Sequence, residues 1–337
     1  MLLGLLFFAL VLLICLALLY VGAAWLMARA LLRPPRMTDG KAVHVLQRLS
    51  PADIGLNYEP VEFNVTDEQT GRPLRLTGWW MPNNSPSDRC VVLLHGYADA
   101  KVGAIAWAPV WQELGWNVLS LDLRAHGQSE GVECTAGYWE QHDVLQVIDQ
   151  LRATRPQSTT SLALMGISLG AAVACAVTAR YVDEGRGDLK AVVLDSPFHS
   201  FRSAVRGHAD LVGMPQCVVP LALRFAQRKT GARFMDVAPV RTLTRVSAPV
   251  LLIHSQNDPF IRAFEQDMLD LAASLRPDGA ARTVSWHAGA EHVLALSTCP
   301  QIYTDVLRTF LERCIVHSGP TDTVTPVPMS AGPLDTP

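Results

Sequence analysis

Residues 1–28 form an uninterrupted stretch of uncharged and mostly apolar side chains, dominated by Leu, Ala, Val and Phe. About 20 helical residues of this kind are enough to cross the hydrocarbon core of a membrane. Pro34 and Pro35 follow shortly afterwards and would end such a helix. The pattern therefore predicts a single transmembrane anchor over residues 1–32.

A cleaved signal peptide is the alternative interpretation of this stretch. Its apolar region usually has about 7–15 residues, preceded by positive charge and followed by a small-residue cleavage site. Here the apolar stretch is about twice as long. No Lys or Arg precedes it, and Ala28-Arg29-Ala30 is a poor cleavage site. The sequence favours an anchor that is retained.

Basic residues follow the apolar stretch directly, at Arg29, Arg33, Arg36 and Lys41. Basic residues next to a membrane span usually lie on the cytoplasmic side. We therefore expect a single-pass protein whose remaining chain lies in the cytoplasm.

The pattern changes after residues 33–56, a polar and mixed segment that we interpret as a linker. Residues 61–65 alternate between apolar and polar positions, and residues 74–80 follow after turn-forming residues, which predicts an antiparallel pair of strands. Short continuous apolar stretches then alternate with helical patterns. The strands are predicted at 90–94, 117–121, 162–165, 191–194, 250–253 and 283–286, and the helices at 106–114, 138–152 and 303–315.

Continuous apolar strands separated by helices are typical of a mostly parallel sheet that is covered by helices on both faces. The sequence thus predicts one α/β domain over residues 57–317. Residues 196–248 contain no convincing strand but two helical patterns, so they are predicted to form a small helical cap over the carboxyl ends of the strands. Residues 318–337 are rich in Pro, Thr and Ser and are predicted to be a disordered tail.

Composition excludes several functions. The chain of 337 residues has a formal net charge of −3 and no dense block of Lys or Arg, so nothing favours a nucleic-acid partner. Its seven cysteines are scattered, odd in number and without Cys-x-x-Cys spacing. This pattern indicates neither a disulfide framework nor a zinc site. It leaves the oligomeric state open.

The most informative motif is Gly166-Ile167-Ser168-Leu169-Gly170, which stands between a short apolar strand and an Ala-rich helix. A serine in such a strand-to-helix corner sits on a strained backbone that exposes its hydroxyl. The two glycines let strand and helix pack closely on either side. Ser168 is therefore the candidate nucleophile.

A serine hydroxyl becomes an effective nucleophile when a histidine removes its proton and a carboxylate orients that histidine. On this scaffold the acid and then the histidine follow the serine, each after its own strand. Asp258 follows the strand at 250–253 and is the favoured acid, with Asp195 as the alternative. His292 lies in a glycine-containing loop after the last strand and is the favoured base, with His287 as its rival.

The negatively charged oxygen of an acyl-transfer intermediate needs preorganised N–H donors. One candidate is the backbone amide of Leu169, directly after the nucleophile. The other is the amide of Tyr97, in the loop His95-Gly96-Tyr97 after the strand at 90–94, where Gly96 allows close approach. We expect the His95 side chain only to hold that loop.

Together these motifs resemble the serine-nucleophile branch of the α/β-hydrolase superfamily, which contains esterases, lipases and peptidases. The resemblance covers roughly residues 57–315 and implies an α/β-hydrolase fold that needs no metal or organic cofactor. Residues 195–198, Asp-Ser-Pro-Phe, also fit it. Residues 122–129 correspond to the family pattern Asp-x-Arg-Gly-x-Gly-x-Ser, except that Ala125 replaces a glycine. That exchange matters little if the φ angle of Ala125 is negative.

The anchor followed by a compact domain is similar to membrane-attached ABHD-type and related bacterial hydrolases, which act on acyl esters, thioesters or lipids. We therefore expect a membrane-tethered serine hydrolase with a small-molecule or lipid acyl substrate. A serine aminopeptidase or amidase is the alternative, and it would need a carboxylate near the pocket. Candidates for that carboxylate are Glu113, Glu130, Glu133 and Asp210. A non-catalytic membrane scaffold is a third interpretation, which is disfavoured because all three candidate residues, Ser168, Asp258 and His292, are present.

Overall fold

The computed structural model describes residues 1–276 and 282–316, and these contain an eight-stranded sheet. The predicted tail at 318–337 lies outside the described residues. Strand order is β1-β2-β4-β3-β5-β6-β7-β8. The first two pairings, β1 with β2 and β2 with β4, are antiparallel, and β4, β3 and β5 to β8 run parallel. The strands are β1 (Glu59–Thr66), β2 (Pro73–Met81), β3 (Arg89–Leu94), β4 (Asn117–Leu121), β5 (Ser161–Ile167), β6 (Leu189–Asp195), β7 (Val250–Ser255) and β8 (Thr283–Ala288).

Helices cover both faces of this sheet. In β3, Val92 and Leu94 belong to one hydrophobic core and Val91 and Leu93 to the other, so the strand is apolar throughout because both of its faces are buried. The predicted fold class is confirmed. The helices are α1 (Leu2–Leu32), α2 (Asp39–Leu46), α3 (Lys101–Ala104), α4 (Ala108–Glu113), α5 (Glu140–Thr154), α6 (Leu169–Asp183), α7 (Phe201–Leu211), α8 (Val218–Thr230), α9 (Pro239–Thr242), α10 (Ala263–Ser274), a short helix Ala295–Thr298 and a C-terminal helix Pro300–Val316.

The segment at 33–56, which we interpreted as a linker, is folded onto the α/β domain. It contains α2 and a 3₁₀ turn at Pro51–Ile54. The Arg48 side chain donates hydrogen bonds to the carbonyls of Val102 and Gly103, each at 3.0 Å. Arginine side chains fix this segment by reaching backbone carbonyls, a contact that leaves no trace in the apolar pattern.

Helix α1 has two parts with different surroundings. Residues 2–20 are exposed along their whole length. Near the end of the helix, Ala24, Met27, Ala28 and Leu32 are buried in the larger core, where α1 packs against α8. The backbone amide of Cys134 donates to the Leu32 carbonyl at 2.8 Å. The end of the apolar helix is therefore part of the α/β domain rather than a free tether.

Candidate active site

Ser168 occupies the sharp corner between β5 and α6. Its φ of +52° and ψ of −110° lie outside the conformations that a residue with a side chain usually adopts. A Cβ atom at Gly166 would lie 2.1 Å from the Gly170 carbonyl oxygen, and one at Gly170 would lie 2.0 Å from the Leu94 carbonyl oxygen. Both glycines are thus required by close backbone contacts, as the five-residue motif predicts.

His292 reaches this serine from the loop after β8. Its Nε2 atom lies 2.9 Å from the Ser168 Oγ atom. The ring is 17% exposed, so it borders the site without being sealed from solvent. The structure therefore brings the favoured base to the candidate nucleophile, although 124 residues separate the two along the chain.

Asp258 completes the arrangement on the other side of the imidazole. Its Oδ2 atom lies 2.5 Å from His292 Nδ1, and its side chain is 1% exposed. Its Oδ1 atom accepts hydrogen bonds from the amides of Phe260 at 2.8 Å and Ile261 at 3.0 Å. Two backbone amides thus fix the rotation of the carboxylate and leave Oδ2 for the histidine.

The alternative acid, Asp195, is fully buried but has other partners. It accepts hydrogen bonds from Tyr303 Oη at 2.8 Å and from Ser196 Oγ at 2.9 Å. Burial raises its pKa from the ordinary value. The structure places it beneath the site, where it is not hydrogen-bonded to His292.

Ser196 makes a contact that our sequence reasoning missed. Its Oγ atom accepts a hydrogen bond from the Val293 amide at 3.1 Å, next to His292. Val293 has a φ of +57°, which is a rare conformation for a β-branched residue. The chain from Asp195 through Ser196 thus holds the loop that carries His292. The Asp-Ser-Pro-Phe sequence was the only available signal, and it does not reveal that contact.

The two amides predicted to bind the oxyanion lie at the same corner. A Cβ atom at Gly96 would be 3.6 Å from Ser168 Cβ, so the loop carrying Tyr97 runs beside the serine. Within the described residues, neither the Tyr97 amide nor the Leu169 amide donates a hydrogen bond to a protein group. Both donors are therefore free for a substrate oxygen. The Tyr97 hydroxyl donates to the Ala30 carbonyl at the end of α1.

His95 holds the loop under the site. Its Nδ1 donates to the Gly96 carbonyl at 2.8 Å, and its Nε2 accepts from the Leu123 amide at 3.1 Å. Burial lowers the pKa of His95 to about 3, so the ring is neutral and can accept that hydrogen bond.

Ala125 differs from our expectation about the family pattern. Its φ is +63°, in the left-handed region, where a residue with a side chain costs about 1–2 kcal/mol. Its amide donates to the Glu130 carbonyl at 2.9 Å and closes the tight loop that requires this conformation. The exchange of glycine for alanine at this position is therefore a strained one.

His287, the rival base, points elsewhere. Asp270 accepts hydrogen bonds from His287 Nε2 and His254 Nε2, each at 2.9 Å, and from Ser285 Oγ at 2.6 Å. Among the described residues, His254, Asp270 and His287 also form a group whose donor atoms lie within 4.8 Å of one another, which is close enough for metal ligands. In this structure they form a hydrogen-bonded bracket that joins β7, α10 and β8.

This bracket should make stability depend on pH. Burial works to raise the pKa of Asp270, but hydrogen bonds from His254 and His287 hold that pKa well below its ordinary value. The hydrogen bond to Asp270 raises the pKa of His287. A raised histidine pKa stabilises the fold below the unfolded pKa of about 6.5, and this contribution is lost as the pH rises through the folded pKa.

We therefore expect His287→Gln, which can keep one hydrogen bond but not the charge, to lower Tm more at about pH 6 than at about pH 9. Thermal unfolding of both proteins at the two pH values measures the difference. A loss of Tm that is equal at both would contradict the charged pairing.

Comparison with known proteins agrees with this geometry. The family described as serine aminopeptidase, S33 (Hydrolase_4) matches residues 85–237. This segment contains the loop of Tyr97 and the corner of Ser168. The esterase Pf2001 of Pyrococcus furiosus superimposes with a TM-score of 0.64 at 24% identity, over 83% of this chain and 99% of the esterase. The chain has the α/β-hydrolase fold. The matching family and the similar proteins support an enzyme of the serine hydrolase type.

Two curated relatives extend the comparison. The chain is 29% identical to the uncharacterized protein YqkD of Bacillus subtilis over 69% of its own length and 73% of that protein. It is 28% identical to the lysophosphatidylserine lipase ABHD12 of Danio rerio over 58% of its own length. The second match spans 50% of the lipase, so about half of that relative has no counterpart in the aligned region.

Proposed function

We propose that this α/β-hydrolase is a membrane-tethered serine hydrolase that cleaves acyl esters, including lipid esters, through Ser168, His292 and Asp258. The observation that carries the proposal is the continuous hydrogen-bonded chain from Asp258 Oδ2 through both nitrogens of His292 to Ser168 Oγ, at 2.5 and 2.9 Å. The order of these three residues and the two distances fit a histidine base that a carboxylate orients and that acts on a serine.

In the proposed reaction, Ser168 Oγ attacks the acyl carbonyl while His292 Nε2 takes its proton. Asp258 accepts a hydrogen bond from the Nδ1–H group of His292 and stabilises the charged imidazole. The amides of Leu169 and Tyr97 receive the developing oxyanion. His292 then returns the proton to the leaving alcohol, and a water activated by the same nitrogen releases the acid from the acyl-enzyme.

The structure of α1 supports an anchor that is retained. Cleavage after Ala30 would remove the buried residues Ala24, Met27 and Ala28 from the larger core. It would also break the chain at the carbonyl that accepts from the Tyr97 hydroxyl. The apolar part of α1 meets the length and hydropathy of a membrane span. The basic residues after it favour the cytoplasmic side for the hydrolase domain.

An ester preference is supported by the esterase and lipase among the similar proteins. The aminopeptidase alternative draws support from the description of the matching family and from similarity to the acylaminoacyl peptidase of Pyrococcus horikoshii, with a TM-score of 0.52 at 15% identity.

Recognition of a free substrate amine requires a carboxylate without another cationic partner. The four candidates all have basic partners, which disfavours that role. They are Glu113 with Arg308 at 2.7 Å, Glu130 with Arg75 at 3.8 Å, Glu133 with Lys229 at 3.6 Å, and Asp210 with Arg262 at 3.1 Å.

The test compares p-nitrophenyl esters of increasing acyl length with aminoacyl p-nitroanilides, using membranes that contain the full chain. We expect hydrolysis of the esters and little release from the anilides. Faster anilide hydrolysis, lost together with the labelling of Ser168 by a fluorophosphonate, would favour the peptidase instead. Release of the protein from membranes by alkaline carbonate would contradict the anchor.

A further inference from the structure

Helices α1 and α8 lie side by side and run in the same direction. The Tyr20 hydroxyl donates to the Cys217 carbonyl at 3.0 Å, just before α8 begins. Near the ends of both helices, Glu133 lies 3.8 Å from Arg33 and 3.6 Å from Lys229. The two contacts are about 20 Å apart along α1 and about 18 Å apart along α8, at 1.5 Å per residue. The start of α8 therefore lies level with Tyr20.

Tyr20 lies at the end of the part of α1 that is exposed on every side, just before the helix begins to pack against the domain. Residues 2–19 are exposed and apolar and extend about 27 Å as a helix, close to the thickness of a hydrocarbon core of about 30 Å. Tyrosine side chains are favoured at the boundary between hydrocarbon and head groups. If residues 2–19 cross the membrane, as the proposed function requires, the turn between α7 and α8 lies at that boundary.

This turn, residues 211–217, presents apolar side chains outward. Leu211 is 56% exposed and Val212 is 59% exposed, and they lie at the end of α7 without packing into either core. Two adjacent exposed aliphatic side chains are costly in water but stabilising in a lipid interface. The turn that carries them ends at Cys217, whose carbonyl accepts from the Tyr20 hydroxyl.

The same geometry connects the boundary to the candidate active site. Helix α7 begins after the loop that holds His292 through Ser196, and it ends about 16 Å farther on, at Leu211. Along α1, Ala30, whose carbonyl accepts from Tyr97, lies about 15 Å from Tyr20. Helices α7 and α1 thus each lead from the surroundings of the site, over about 15 Å of helix, toward this turn and Tyr20.

We propose that the α7–α8 turn is a bilayer-contacting surface, with Leu211 and Val212 inserted among the lipid head groups beside α1. The partner is the fluid lipid bilayer itself, and the inference rests on the membrane span in the proposed function. The turn holds the hydrolase domain against the membrane, so that an acyl substrate dissolved in the bilayer passes to Ser168 without crossing bulk water.

A kinetic comparison tests this role with the full chain in phosphatidylcholine vesicles. The variant carries Leu211→Glu and Val212→Glu together. The matched control is Val182→Glu, because Val182 is 37% exposed and lies near the far end of α6, which starts at Ser168 and is about 20 Å long. The substrates are p-nitrophenyl acetate in water and p-nitrophenyl palmitate carried in the vesicles.

We expect the double variant to keep the wild-type rate on the acetate and to lose at least about tenfold on the palmitate, because two aliphatic contacts with the lipid are removed. The control should keep both rates. An unchanged rate on palmitate in the double variant would overturn the proposal, whereas a wild type that hydrolyses neither ester would contradict the proposed function.

A second measurement is independent of activity. Leu211→Trp and Val182→Trp are each placed in vesicles whose acyl chains carry bromine, which quenches tryptophan at the membrane. We expect the fluorescence added by Leu211→Trp to be lost and that added by Val182→Trp to remain. Equal fluorescence from both added tryptophans would overturn the proposal even if the enzyme is active, and quenching of the first alone would support it even if no ester is hydrolysed.

Discussion

Replacement of Ser168 by alanine should abolish ester hydrolysis, with a loss of roughly 10⁴-fold or more in kcat. The reason is chemical: removing Oγ removes the atom that forms the acyl-enzyme, while the oxyanion donors and the substrate site remain. Rates on p-nitrophenyl butyrate, together with labelling by a fluorophosphonate, measure the effect. The labelling of Ser168→Ala should disappear.

Ser274→Ala is the matched control for this experiment. Ser274 is exposed on α10, and its hydroxyl donates to the Leu271 carbonyl at 2.7 Å. It should therefore keep both the wild-type rate and the labelling. Equal labelling of Ser168→Ala and wild type would show that another residue is the nucleophile. Because the exchange removes only one hydroxyl group, unfolding is not expected to account for the result. The Tm of the Ser168→Ala variant checks this.

The second large effect is expected for Asp258→Asn. The amides of Phe260 and Ile261 hold Oδ1 as an acceptor, so the asparagine oxygen will take that position. Its NH₂ group then faces His292 Nδ1 and donates to it, which places the ring proton on Nε2. A protonated Nε2 cannot accept the proton of Ser168, and we expect kcat to fall by roughly 10³- to 10⁴-fold.

Asp195→Asn distinguishes the two candidate acids. Asp195 accepts hydrogen bonds from Tyr303 and Ser196, and Ser196 in turn holds the loop at Val293, next to His292. Its replacement should reduce kcat much less than Asp258→Asn does and should lower Tm instead. Steady-state kinetics and thermal unfolding of both variants give the comparison. A larger loss of kcat in Asp195→Asn than in Asp258→Asn would assign the acid to Asp195.

Several features of the fold could be predicted because they depend on neighbouring residues. The parallel strands are apolar on both faces, so their continuous apolar stretches are visible without knowledge of what covers them. Gly166 and Gly170 flank Ser168 because strand and helix must pack closely at that corner. Serine, acid and histidine could be predicted as a set because each lies after its own strand, at the same edge of the sheet.

Other features depend on contacts between distant segments. Only the hydrogen bonds in the folded chain show that Asp258, and not Asp195, is the carboxylate bonded to His292. His287 and His292 are five residues apart in the sequence, after the same strand. His287 is hydrogen-bonded to Asp270 on α10, whereas His292 reaches Ser168. The positive φ of Ala125 follows from the closure of its loop, since alanine itself favours a negative φ.

The sequence by itself determined that this chain has an apolar N-terminal helix, a mostly parallel sheet and a serine corner. Each of these is encoded by the spacing of residues within one short segment. Only the tertiary structure decided that the end of that helix packs into the hydrolase core, contacts the oxyanion loop through Tyr97 and lies parallel to α8. Those contacts join residues about 70 to 200 positions apart. Their energy comes from surfaces that meet only when the whole chain has folded.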